Sequence, residues 1–115
     1  MSYMLLIVEE QGQRATRDRE QGEQVYQRML DYTESLQRKG VLVSSNSLRT
    51  EATRLQARAG KLTVIDGPFT ETKELIGGFF LLSCDTYEEA LELARQCPAA
   101  EWARVEIRGV GPCYL

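Results

Sequence analysis

The sequence predicts an α+β fold: a ferredoxin-like β-α-β-β-α-β antiparallel sheet with two helices on one face. Three observations carry this. The hydrophobic period alternates between strand and helix values in that order along the chain. Two strand-length stretches are apolar on both faces. At 115 residues the chain has the length of one domain, taken as residues 1–115, and that is enough for a core without staples.

The first strand is Tyr3 to Val8 (YMLLIV), apolar on both faces. Residues 9–22 are too polar to build core and read as a solvated loop or a frayed helix entry. A helix follows, with Val25, Met29, Tyr32 and Leu36 on one stripe. Lys39 and Gly40 end it, a cation in the last turn and then a residue free to take the left-handed cap. Val41 to Val43 open an extra extended piece near residues 41–50. From Ala52 to Ala59, Thr53, Leu55, Ala57 and Ala59 alternate with Arg54, Gln56 and Arg58; Gly60-Lys61 reverses the chain into Leu62 to Ile65, a hairpin. Gly78 to Cys84 (GFFLLSC) is again apolar on both faces. Thr86 and Glu89 form a capping box before a helix whose stripe is Tyr87, Ala90, Leu91, Ala94 and Cys97, stopped by Pro98. Trp102 to Arg108 alternates as a last strand.

Two helices cover only one face of a sheet whose central strands are apolar on both. A face of that size in water exceeds the few hundred Å² that monomers usually expose. The expectation is a homodimer packed sheet against sheet, with an interface on the order of 2,000 Å² or more.

Composition narrows the function classes. A net charge of −3 argues against a nucleic-acid partner, because neutralising phosphates needs clustered Lys and Arg. No apolar run approaches 18 residues, so no membrane span is expected. Three cysteines at wide, irregular spacing (Cys84, Cys97 and Cys113) fit neither a disulfide framework nor a zinc pattern and point to a reducing, cytoplasmic compartment. The chain has no histidine, so the usual neutral-pH acid/base group and commonest metal ligand is missing. No metal and no cofactor is expected. Any general base must be a carboxylate raised by desolvation or a lysine lowered by it.

The candidate site is DGPFTETKE, residues 66–74, in a connection of about a dozen residues, long enough to suggest function. Asp66 either caps its own turn or acts as acid/base in a cleft beside Lys73. Gly67 and Pro68 shape the turn, and Phe69 plugs the core. Arg54, Glu71 and Thr53 are the candidate substrate-binding residues, with Arg54 able to grip a carboxylate bidentately. The alternative for Arg54, Glu71 and Lys73 is a solvated strand face. Cys84 reads as core; Trp102 and Tyr3 line either a pocket or a dimer seam.

The opening YMLLI, Gly40-Val41-Leu42, Ala52-Thr53-Arg54, DGPFTETKE followed by Gly77-Gly78-Phe79, and Cys97-Pro98-Ala99-Ala100 together resemble the DGPF-domain branch of the YCII-related proteins, over nearly the whole chain. The resemblance implies a dimeric α/β barrel, bacterial origin and a genomic link to extracytoplasmic-function sigma factors. Some YCII-related members act on small chlorinated or hydroxylated aromatics with a histidine–aspartate pair, which this chain lacks. Two functions follow: a small-molecule enzyme of lyase or isomerase type, with Asp66 as acid/base and Lys73 and Arg54 holding an anionic substrate, or a non-catalytic ligand-binding or regulatory dimer tied to sigma-factor signalling.

Overall fold

The computed structural model describes residues 1–69 and 71–114, so Thr70 of DGPFTETKE lies outside the described residues. Six strands and two α-helices run in the order β1 (Ser2–Glu10), α1 (Arg19–Arg38), β2 (Leu42–Ser47), β3 (Thr53–Arg58), β4 (Lys61–Asp66), β5 (Glu74–Ser83), α2 (Tyr87–Arg95) and β6 (Arg104–Gly109). Four strands form an antiparallel sheet in the order β2-β5-β1-β6, and β3-β4 is a separate two-stranded sheet. This is the ferredoxin-like α+β arrangement, with one refinement. The piece near residues 41–50 is not extra: it is the edge strand β2 of the main sheet, and the hairpin stands apart from it.

The core follows strand alternation. Tyr3, Leu5 and Ile7 point to the helices and are buried, while Met4, Leu6 and Val8 on the other face are half-buried. Leu5 lies between Phe80 and Ile107 in the ladder, and Met4 between Leu81 and Arg108. Tyr32 and Leu36 of α1 and Ala90 and Ala94 of α2 close over Leu5, Phe80 and Leu82. The Tyr32 ring meets Phe80 edge-on at 5.2 Å, and its hydroxyl donates to the Leu93 carbonyl at 2.7 Å, which ties the two helices together.

The helix ends use local chemistry. Asp18 and Gln21 form a reciprocal capping box that starts α1 inside the stretch expected to be loop. That expectation is corrected on three counts: Glu9 and Glu10 belong to β1, Gln13–Thr16 forms a 3-10 turn, and the helix begins at Arg19. At α2 the Thr86 hydroxyl accepts from the Glu89 amide at 3.2 Å; Glu89 reaches back to the Asp85 amide rather than to Thr86. The hairpin turns on Ala59 and Gly60, both at positive φ, the primed geometry that matches strand twist. Cys84 and Cys97 are buried free thiols and Cys113 is an exposed one. No helix among the described residues is long and apolar enough to cross a membrane.

Candidate functional site

The inward alternation of β1 does not stop at Ile7. It carries Glu9 into the same row, where the residue keeps only 7% of its surface exposed. A buried carboxylate needs a counter-charge. Arg14, from the 3-10 turn, supplies it with Nε 2.7 Å from Glu9 Oε1. The guanidinium also donates to the Leu48 carbonyl at 2.7 Å and the Gly77 carbonyl at 3.3 Å, so it bolts β1 to the far end of β2 and to β5.

Gly77 makes room for the pair. The ladder pairs Ile7 with Gly78 but Val8 with Ile76, which leaves Gly77 as the extra residue of a β-bulge. A Cβ at Gly77 would stand 2.7 Å from Glu9 Cδ and 2.9 Å from an Arg14 nitrogen. Only glycine lets the carboxylate and guanidinium lie against that backbone.

Glu9 and Arg14 border two clefts. The larger, of about 430 Å³, opens beneath the first half of α1, with Met29, Phe80 and Trp102 as apolar walls and Ser45 and Asn46 at the sheet edge. That volume falls in the range of small-molecule sites. Arg17 and Arg28 flank the Trp102 ring with guanidinium carbons 5.9 and 5.3 Å from its centre. Gln13 donates from its side-chain amide to the Trp102 carbonyl at 2.6 Å. The smaller cleft, about 330 Å³, lies on the other side of the pair, between Gln11, Gly12, Thr50 and the turn residues Gly67 and Pro68. Two buried acceptors, Glu9 Oε1 and Gln13 Oε1, have no hydrogen bond among the described residues. Glu9 Oε1 has the Arg14 Nε of its ion pair at 2.7 Å.

The residues singled out in DGPFTETKE fall into two small clusters at the base of the hairpin. Thr53 and Asp66 face each other in the β3–β4 ladder, and the Thr53 hydroxyl donates to Asp66 at 2.9 Å. Arg54 donates to Glu71 at 2.9 Å and lies 3.8 Å over the Phe69 ring. Its hydrogen bond to Glu71, seconded by a backbone hydrogen bond, holds that carboxyl below the usual carboxylate range. Phe69 is therefore a platform for Arg54 rather than a plug in the buried core. Lys73 is exposed, and its carbonyl accepts from the Gln11 amide at 2.8 Å. Asp66, Arg54, Glu71 and Lys73 border neither cleft; the loop reaches the smaller one through Gly67 and Pro68. The Gly67 amide donates to the Ala52 carbonyl at 2.8 Å and fixes that turn.

Sequence reasoning missed Glu9 and Arg14. Two signals mark them: an acidic residue continuing the inward register of an apolar strand, and a Gly-Gly pair inside a strand, which points to a bulge or a close backbone approach.

Comparison with known proteins bears on the whole chain. It is 50% identical over 46 residues, 40% of its length, to an uncharacterised protein of Rhizobium meliloti (strain 1021), and spans 37% of that relative. Among solved structures it is similar to the 5-chloro-2-hydroxyhydroquinone dehydrochlorinase of Burkholderia phenoliruptrix AC1100 in complex with 2,5-dihydroxybenzoquinone, with a TM-score of 0.56 and 14% identity over 96% of this chain and 94% of that one. At that identity the likeness is one of fold. Residues 1–113 match the YCII-related domain, and the chain belongs to that family.

Proposed function

We propose that the cleft beneath α1 binds a small, planar, oxygen-rich molecule, and that a carboxylate performs lyase- or isomerase-type proton transfer on it. One observation carries the reading. A chain without histidine buries a carboxylate, Glu9, on the border of two clefts, ion-paired to Arg14. A carboxylate is almost never buried unless it is paired, and one placed at a cleft is a candidate polar group for a ligand. Glu9 is the acceptor for a substrate hydroxyl proton, Arg14 holds the carboxylate in place, and Trp102, Met29 and Phe80 take the flat apolar body. The fold's likeness to an enzyme solved in complex with 2,5-dihydroxybenzoquinone supports that ligand class.

DGPFTETKE frames the outer cleft in this reading. Asp66 and Lys73 serve as acid/base groups, with Arg54, Glu71 and Thr53 as binding groups, only where a second copy closes over the hairpin base, since in one copy they stand in solvent. A non-catalytic ligand-binding or regulatory dimer uses the same cleft without Glu9 turning over.

The test is a thermal-shift panel of hydroxylated aromatics and quinones. A ligand at a hundred times its Kd stabilises by about 2.7 kcal/mol. The wild type is expected to respond to at least one panel member. Glu9→Gln should weaken that response at least tenfold in Kd, and the double variant Asp66→Asn with Lys73→Met should keep it. No response across the panel refutes the reading; loss in the double variant alone moves the site to the hairpin base.

A further inference from the structure

Two arginines border the cleft beneath α1, and they differ in what they hold. Arg14 is spent on Glu9 and on the Leu48 and Gly77 carbonyls. Arg17 is half-buried, yet it makes no ion pair among the described residues. Arg58 and Arg108 are likewise unpaired among the described residues, but both are exposed and border neither cleft. The carboxylates that border the cleft are engaged elsewhere. Glu9 holds Arg14, and Asp18 accepts from the Gln21 amide at 2.8 Å as the N-cap of α1.

The backbone beneath Arg17 is fixed on both sides. Its amide donates to the Arg14 carbonyl at 3.2 Å, which closes the 3-10 turn, and the next residue opens the capping box of α1. The side chain then meets Trp102, a wall of the cleft, with its guanidinium carbon 5.9 Å from the ring centre. Arg28, also beside Trp102, is different: both its terminal nitrogens donate to Glu101, and it does not border the cleft. The cleft therefore has an aromatic wall with one uncommitted guanidinium beside it. A guanidinium is a planar fork that grips a carboxylate with two parallel hydrogen bonds. Pockets take their specificity from a few such placed groups.

We propose that Arg17 determines the specificity of this cleft: among flat hydroxylated rings it selects those that carry a carboxylate. The inference rests on the reading of the cleft as a small-molecule site and adds the charge of the ligand. A ring seated against Trp102 brings a carboxylate in its own plane to the fork of Arg17, whereas a neutral ring leaves that charge unanswered. The reverse orientation sets the carboxylate against Glu9, a like charge, and is disfavoured. Arg17 touches the substituent and takes no part in proton transfer, so it acts on which ligand enters and leaves the acid/base group to Glu9.

The experiment is titration calorimetry of the full chain with a matched pair, hydroquinone and 2,5-dihydroxybenzoate, which differ by one carboxylate. The wild type should bind the dihydroxybenzoate about tenfold more tightly than hydroquinone, the gain expected of a charge-assisted hydrogen-bonded pair. Arg17→Met should bind the two alike, with its Kd for hydroquinone unchanged, and Arg17→Lys should keep part of the preference. A merely structural role would weaken both ligands together and leave the ratio intact, which overturns the proposal. A wild type that binds both equally also overturns it, while the cleft stands as a small-molecule site. Binding of neither overturns it too, and an unresponsive wider panel takes the reading of the cleft with it. If Arg54→Met abolishes the preference and Arg17→Met does not, the carboxylate sits at the hairpin base and the proposal is wrong. Far-UV circular dichroism checks the fold of each variant; should Arg17→Met fail to fold, Arg17→Gln in the same titrations decides the matter.

Discussion

At the scale of single residues, most of the site's geometry depends on an atom that is missing. Gly77 has no side chain, and Glu9 and Arg14 occupy the space one would fill. Gly77→Ala should therefore cost about 2–3 kcal/mol, because the added methyl must displace an ion pair whose carboxylate has nowhere else buried to go. Gly22, inside α1, is the control. Beyond its own stretch of helix backbone no atom lies within 4 Å of where its Cβ would be, so Gly22→Ala should stabilise by about 0.5–1 kcal/mol. Urea midpoints moving in opposite directions for the two variants check the claim; a neutral Gly77→Ala would mean that the pair is free to relax. The same residues show why the sequence hid the candidate site. Glu9 is one acidic residue at the end of YMLLIV, and read as composition it belongs to the polar stretch that follows. Read as register it is the fourth inward position after Tyr3, Leu5 and Ile7. The choice between those readings depends on where the strand ends, and only the bulge at Gly77 and the counter-charge from Arg14 decide that.

At the scale of elements, the strands and helices were legible because each has a local cause. The alternation of β1 and β5, the stripe of α1, the cap at Thr86 and the stop at Pro98 need no knowledge of distant residues. Pairing was less legible. Val41 to Ser47 and the hairpin strands were both visible as extended chain, but which of them joins the main sheet depends on ladders to β5 that local pattern does not encode. DGPFTETKE shows the same limit: its turn chemistry was plain, while the distance from its charges to any concavity was not. The hairpin turn also holds an avoidable cost, since Ala59 sits at φ 52°, a region that disfavours a residue with a Cβ by roughly 1–2 kcal/mol. Ala59→Asn suits the first position of such a turn and should stabilise the hairpin by about 1 kcal/mol. Cross-strand amides such as Gln56 and Thr63, at a hydrogen-bonded pair of the ladder, would then exchange about fivefold more slowly. Unchanged exchange would show that the turn does not limit opening of the hairpin.

At the scale of the whole molecule, the buried core makes stability depend on alkaline pH. Burial pushes the Cys97 thiol up to about 11, and it raises Cys84 and the Tyr32 hydroxyl in the same direction. The sign follows from linkage. The folded state holds these protons more tightly than the unfolded chain, where a thiol ionises near 8.5, so the unfolded state is the one stabilised as pH rises. Stability is fully present below about pH 8.5 and declines until the folded Cys97 itself ionises near 11. That single thiol accounts for a loss on the order of 3 kcal/mol. Urea unfolding between pH 8 and 11 should show the decline, and Cys97→Ala should flatten part of it while lowering stability at pH 7 through the cavity it leaves. Cys84 and Tyr32 keep the residual slope negative in that variant. A slope identical to wild type would place Cys97 in contact with water, and the packing of α2 against the core would have to be redrawn.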